Sequence, residues 1–260
     1  MKVHHLNCGT MHPVKGPVCV CHVLLVEADN GLVLVDAGFG TDDCADPKSR
    51  VGPVRFVTRP AFDSSEAAVN QLDRLGFSRE DVRHIILTHL DTDHVGGAAD
   101  FPQAQLHVTS QEAVAAFTSP TRAEKVRYGR QRWVKDRVVE HDPDGEAWRG
   151  FSAAKELDDI APGIVLVSLP GHSRGHTCVA VDAGHRWVLH CGDAFYHYGT
   201  LDGTRIPRTL RTMETLVAFD RKKMWDNHER LADLYRQQEP DLIIAPAHDN
   251  ELFERAKATA

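Results

Sequence analysis

Apolar residues in this chain gather in short runs closed by turn residues. Residues 21–38 (CHVLLVEADNGLVLVDAG) and 177–193 (TCVAVDAGHRWVLHCGD) share one layout: an apolar run, a turn, and a second apolar run that ends in Asp. The Asp29-Asn30-Gly31 and Ala183-Gly184-His185 turns, set between β-branched segments, predict two hairpins. Further strands are predicted at His84-Ile85-Ile86-Leu87, Leu106-His107-Val108, Ile164-Val165-Leu166-Val167 and Leu242-Ile243-Ile244-Ala245. Helical spacing appears between them. Residues 64–75 open on a Ser cap, space Ala68, Leu72 and Leu75 along one face, and stop at Gly76. Strands alternating with helices predict a layered α/β fold, duplicated with one half near residues 1–105 and the other near 160–250.

Two stretches break this rhythm. Thr41 to Arg59 is rich in turn residues and reads as a long loop. Gln111 to Asp159 carries aromatic and charged residues with weak strand signal, and reads as a cap inserted into a single domain spanning 1–260. Within it, Arg130, Arg132, Trp133 and Trp148 could line a substrate, although a solvated amphipathic surface is the commoner use of such residues.

Composition narrows the class. With 42% hydrophobic and 26% charged residues the chain reads as globular, and no stretch reaches the roughly 18 apolar residues that span a bilayer. The N-terminal segment has no apolar stretch of the secretory kind, so a cytoplasmic location is expected. A net charge of -7, from 37 acidic against 30 basic residues, disfavours a nucleic-acid partner. The six cysteines show no C-x-x-C spacing and are expected to be reduced core residues. Sixteen histidines hint at metal chemistry.

The candidate chemistry lies where apolar runs end. The run at 84–87 leads into HLDTDH, with His89, Asp91, Asp93 and His94. The run at 164–167 leads into PGHSRGH and His172; that at 187–189 leads to Asp193, and that at 242–245 to His248. Ligands that follow strand ends converge on one edge of a sheet, where a rigid backbone can hold imidazole and carboxylate about 2.0 to 2.2 Å from a metal.

With these motifs in this order, the chain resembles the metallo-β-lactamase superfamily, whose signature is H-x-H-x-D-H followed by distant His, Asp and His. VDAG at Val35–Gly38 and PGHSRGH at Pro170–His176 add two more motifs of that superfamily, and the match covers essentially the whole chain. The resemblance implies a four-layer αβ/βα sandwich of two mixed sheets flanked by helices. It implies two divalent metal ions, zinc first, with iron or manganese as alternatives. His89, Asp91 and His172 would hold one ion, Asp93, His94 and His248 the other, and Asp193 would bridge them. Two such ions share a hydroxide and lower its pKa enough to make a nucleophile at neutral pH.

One position departs from the pattern. The superfamily has His where this chain has Asp91. Three aspartates and one hydroxide cancel the charge of two divalent ions, and a harder oxygen ligand favours iron or manganese. An acidic residue there is also similar to the flavodiiron proteins, although no residues remain here for their flavodoxin domain. The alternative for Asp91 is an outward-pointing loop carboxylate.

Tyr196 resembles the tyrosine that follows the bridging aspartate in N-acyl homoserine lactonases, where it would donate to the developing oxyanion; a buried core tyrosine is the other reading. By the same resemblance Asp93 would return a proton to the leaving alkoxide. His176 is expected to support the site rather than ligate. Asp36 reads as a turn carboxylate near the site, while His12 and His197 lie in loops that could border the pocket. The leading expectation is hydrolysis of an ester-like bond in a small molecule, most readily a lactone. The alternatives are a thioesterase similar to glyoxalase II, a non-haem iron oxidoreductase, and a non-catalytic metal-binding sensor. Oligomeric state is not legible.

Overall fold

The strands His22–Ala28, Gly31–Val35, Ile164–Ser168 and Thr177–Asp182 are hydrophobic on both faces, and the fold explains why. The computed structural model describes residues 1–145 and 147–259. A six-stranded sheet runs β1 (Lys2–Asn7), β2 (His22–Ala28), β3 (Gly31–Val35), β4 (Val82–Ile86), β5 (Gln105–Thr109) and β6 (Val138–His141) in spatial order. A five-stranded sheet has the order β11-β10-β9-β8-β7, from β7 (Ala154–Glu156), β8 (Ile164–Ser168), β9 (Thr177–Asp182), β10 (Trp187–His190) and β11 (Leu242–Ala245). Both sheets are mixed: β1 to β3 are antiparallel and β3 to β6 parallel, while β7 to β10 are antiparallel and β10 to β11 parallel.

Alternate residues of one strand serve two different cores. Leu24, Val26, Val33, Val35 and Ile86 meet Leu166, Val179, Val181 and Val188 between the sheets. Their neighbours Leu25, Leu34 and Ile85 turn outward onto Leu72 of the helix Ala68–Leu75. On the opposite side Ala180 and Leu189 face Leu231 and Leu234 of the helix Arg221–Arg236. Two sheets face to face with helices outside give the expected four layers, and strands covered on both faces read as nearly continuous apolar runs.

Both predicted hairpins and all four further strands are present, and the helix at 68–75 ends on Gly76 in the left-handed region (φ 83°). Three expectations need correction. Thr41–Arg59 is not a loop; it holds the short helices Thr41–Ala45, Pro47–Arg50 and Arg55–Thr58, each too brief to show helical periodicity. The segment 111–159 covers the site with the helix Arg122–Arg127, but it also supplies the edge strands β6 and β7, so it is woven into both sheets. Arg130 and Trp148 do not share a surface. Arg130 bonds the carbonyl of Ser49, and Trp148 packs edge-on against Trp187.

All six cysteines are free, and five are buried. No helix among the described residues is long and apolar enough to cross a membrane.

Candidate metal centre

Strand direction brings the candidate ligands together. β3 and β4 run parallel in one sheet, and β8, β10 and β11 share a direction in the other, so their C-terminal ends lie along one edge. Asp36 follows β3, the HLDTDH loop follows β4, and His172, Asp193 and His248 follow β8, β10 and β11. All seven side chains expected as ligands meet there, and they divide into two groups around Asp193.

Asp193 Oδ2 faces the first group, 3.3 Å from His172 Nε2 and 3.9 Å from His89 Nε2. Asp91 Oδ2 completes that group at 3.3 Å from His89 Nε2 and 3.2 Å from His172 Nε2. Asp193 Oδ1 faces the second group, 3.2 Å from His94 Nε2 and 3.0 Å from His248 Nε2. Asp93 lies there too, 3.5 Å from His248 Nε2. Cys21 borders this second group beside Asp93 and His248.

The imidazoles are oriented from behind. His94 Nδ1 donates to Asp36 Oδ2 at 2.8 Å, and His248 Nδ1 donates to the carbonyl of Val20 at 2.8 Å. His89 Nδ1 lies 3.1 Å from Thr88 Oγ1, a hydroxyl that itself donates to Asp36. Each of these contacts leaves the Nε2 lone pair aimed inward. His89 Nε2, His94 Nε2 and Asp193 Oδ1 are buried with no hydrogen-bond partner among the described residues. Unpartnered buried polar atoms are costly in a dry site, and cations held among these side chains would satisfy them, so the donor set fits the divalent ions that the resemblance implies.

Charges in the cluster are strongly coupled. Burial alone would lower His94, but Asp193 and Asp36 outweigh it and hold its pKa well above the usual histidine range. Burial would raise Asp193, but His248, His94 and His172 hold it well below the usual carboxylate range. His172 differs from His94 and His248: burial and the nearby Arg127 guanidinium push it down to about 4.

Arg127 carries no local sequence signal. Its guanidinium forks onto Asp91, with Nε 2.6 Å from Oδ1 and Nη2 2.6 Å from Oδ2, and Nη2 also donates to His172 Nε2. Asp91 therefore points inward, not out from its loop. Its charge is matched by the Arg127 guanidinium.

Glu112 is a second unforeseen residue. It is fully buried, and it accepts from the backbone N–H of Leu90 at 3.0 Å, the Tyr128 hydroxyl at 2.9 Å, the Ser173 hydroxyl at 2.7 Å and the backbone N–H of Gly175 at 3.1 Å. One carboxylate thus ties the HLDTDH loop to the PGHSRGH loop. Position 175 must be glycine for this, because a Cβ there would lie 2.1 Å from the backbone nitrogen of Glu112.

His176 bonds the carbonyl of Leu169 and accepts from the backbone N–H of Asp193 at 3.0 Å, which places it behind a ligand. The Tyr196 hydroxyl donates to Asp193 Oδ2 at 3.0 Å, and burial together with Asp193 keeps its pKa well above the ordinary tyrosine value. His12 is exposed on its loop. His197 joins Tyr196, Tyr198, His248 and Pro17 around a cavity of about 280 Å³ beside the centre. A larger cavity of about 630 Å³, between Arg205, Arg208, Arg211 and Trp225, shares no residue with the ligand cluster.

Known proteins agree with this arrangement. Residues 16–248 match the model of the metallo-beta-lactamase superfamily. A probable metallo-hydrolase of Mycobacterium tuberculosis is 57% identical over 262 residues, covering 100% of this chain and 84% of that protein. The N-acyl homoserine lactonase AttM of Agrobacterium fabrum is 27% identical over 258 residues, covering 90% of this chain and 94% of the lactonase. Among solved structures, an N-acyl homoserine lactone hydrolase holding N-hexanoyl-L-homoserine at its catalytic metal centre superposes with a TM-score of 0.70 at 22% identity, covering 98% of this chain and 95% of the other. Matched along nearly its whole length, with the superfamily's ligand types gathered at one sheet edge, the chain belongs to the metallo-beta-lactamase superfamily and is a metal-dependent hydrolase.

Proposed function

We propose that the protein opens the ring of a small lactone, using a water activated between two divalent ions, zinc in the first instance. His89, Asp91 and His172 would hold one ion, Asp93, His94 and His248 the other, with Asp193 shared. Bound there, the ions would supply a hydroxide at neutral pH and withdraw electrons from the substrate carbonyl. The observation that carries this reading is the division of the cluster by the two oxygens of Asp193, with the Tyr196 hydroxyl on the same carboxylate.

The chain's own groups supply the remaining steps. Tyr196 stays protonated across the physiological range, so its hydroxyl can turn from Asp193 to a carbonyl oxygen and stabilise the charge developing there. Asp93, half-buried and 3.5 Å from His248 Nε2, would carry a proton to the departing alkoxide. The cavity of about 280 Å³ is a small chamber suited to a compact cyclic ester, with any long substituent lying outside it. The lactone class is further supported by the likeness to AttM.

The test is turnover of the zinc-loaded protein on N-acyl homoserine lactones, esters, thioesters and a β-lactam, read by proton release. Lactone turnover at least about a hundredfold above thioester turnover, abolished by chelation and restored by zinc, is expected. Metal-loaded protein that leaves every lactone intact would overturn the reading.

A further inference from the structure

The two halves of the cluster differ in what already fills them. In the second half His94 Nε2 and Asp193 Oδ1 are buried and without hydrogen-bond partners among the described residues, with His248 Nε2 and Asp93 beside them. The first half contains a cation that belongs to the chain. Arg127 has five N–H donors, and each has an acceptor: Nε–H goes to Asp91 Oδ1, Nη2 to Asp91 Oδ2 and His172 Nε2, and Nη1 to the carbonyls of His172 at 2.9 Å and Val217 at 3.1 Å. A guanidinium can only donate, so His172 Nε2 is the acceptor in that contact. An imidazole nitrogen has one lone pair in the ring plane, and Arg127 and a metal ion cannot share it.

The arginine is also held in place from outside the cluster. It ends the helix Arg122–Arg127, which Thr121 and Glu124 cap reciprocally; Glu124 in turn pairs with Arg174, and the next residue, Tyr128, bonds Glu112. With Asp91 and His172 Nε2 engaged by Arg127, His89 Nε2 and the far ring nitrogen of His172, Nδ1, are left without a partner among the described residues.

We propose that Arg127 is the resident cation of the first half, so that the two halves load unequally: an ion enters the half made by Asp93, His94, His248 and Asp193 freely, and enters the half made by His89, Asp91 and His172 only by displacing Arg127. This rests on the reading of the cluster as a two-ion centre and adds the order of filling. Arg127 then acts as a latch on ligands, and the second ion's entry becomes the controlled step.

The experiment is titration of chelator-stripped protein with Zn²⁺, followed by calorimetry, by elemental analysis after desalting, and by ¹⁵N shifts of the histidine rings. Wild type should show two phases at least about a hundredfold apart and keep one equivalent after desalting. Its first equivalent should move the His94 and His248 nitrogens and leave those of His89 and His172. Arg127→Gln, which removes the charge and the fork, should keep two equivalents with the phases less than about tenfold apart; Arg127→Met serves if that variant does not fold. Two equal equivalents in wild type, early movement of His172, or a gap untouched by removing Arg127 would each overturn the proposal. Turnover is read in none of these arms. Unequal loading without lactone hydrolysis would therefore sink the proposed function alone, and lactone hydrolysis with equal loading would sink the latch alone.

Discussion

His94 donates from Nδ1 to Asp36 at 2.8 Å, and this one bond aims the opposite nitrogen of the ring at Asp193. Asp36 achieves it from a left-handed backbone (φ 58°) just past β3, while its other oxygen accepts the backbone N–H of Thr88 at 2.8 Å. Asn tolerates that backbone conformation, so Asp36→Asn keeps the turn while removing the charge behind His94 and setting an NH₂ against either the His94 ring or the Thr88 N–H. Zinc affinity of the second half should fall by about 10- to 100-fold, and the stripped protein should lose about 1 to 3 kcal/mol because one buried donor is left facing the amide NH₂. Competition with a chromophoric chelator measures the first quantity and urea unfolding the second.

Tyr196→Phe is the cleanest probe of the oxyanion role. The ring stays packed between His172 and His248, and only the hydroxyl on Asp193 is lost. If that hydroxyl donates to the transition state, kcat for a lactone should drop about 10²-fold with KM nearly unchanged. An unchanged kcat would leave Tyr196 as a support for Asp193 alone.

Glu112→Gln should damage the fold more than the chemistry of any single ligand. Four donors converge on the two carboxylate oxygens, and an amide presents one oxygen and one NH₂ to them. Whichever way the amide turns, its NH₂ meets a backbone N–H, of Leu90 or of Gly175, that cannot accept from it in a buried site. A loss of about 2 to 4 kcal/mol in urea unfolding is expected, together with weaker zinc binding, because the loops carrying His89 and His172 are joined through this residue.

These residues also mark where sequence reasoning runs out. The candidate ligands are legible because strands buried on both faces leave unmistakable apolar runs, and their ends point to one edge. Arg127 and Glu112 give no such sign: their partners lie 36 and 45 positions away for Arg127, and 22, 61 and 63 for Glu112. β1 escapes for a different reason. It is an edge strand whose His4, His5 and Asn7 interrupt the apolar alternation, and its pairing with β2 is supplied by the sheet. The helices between Thr41 and Thr58, four or five residues each, are shorter than the window in which a helical period can be recognised.

A ladder of imidazoles on β4, β5 and β6 makes stability depend on acid. His84 Nδ1 lies 3.0 Å from His107 Nε2, and His107 Nδ1 lies 2.9 Å from His141 Nε2. Burial, then His141 and His84, push His107 down to about 3 from an ordinary 6.5. The unfolded chain takes up a proton as pH falls through about 6.5, whereas the folded chain does so only near 3. Stability is therefore complete above pH 6.5 and lost progressively below it, by about 3 kcal/mol at pH 4 from this residue. Unfolding of chelator-stripped protein at pH 7, 5.5 and 4 should show that slope, and His107→Gln should flatten it by close to one proton.

Asp91 and Arg127 should prove coupled even with no ion bound. Both side chains are about four-fifths covered, at 22% and 18% exposure, and the fork between them is the main neutralisation that either receives. Asp91→Ala leaves a guanidinium enclosed without its carboxylate, and a loss of about 2 to 4 kcal/mol in the stripped protein is expected. Arg127→Met alone should cost a similar amount by leaving Asp91 among imidazoles without a counter-charge. The double variant removes both charges together and should be more stable than the sum of the single losses predicts by about 1 to 3 kcal/mol. Additive losses in a urea double-mutant cycle would mean that the pair is held apart in solution, and that Asp91 faces the metal without Arg127 beside it.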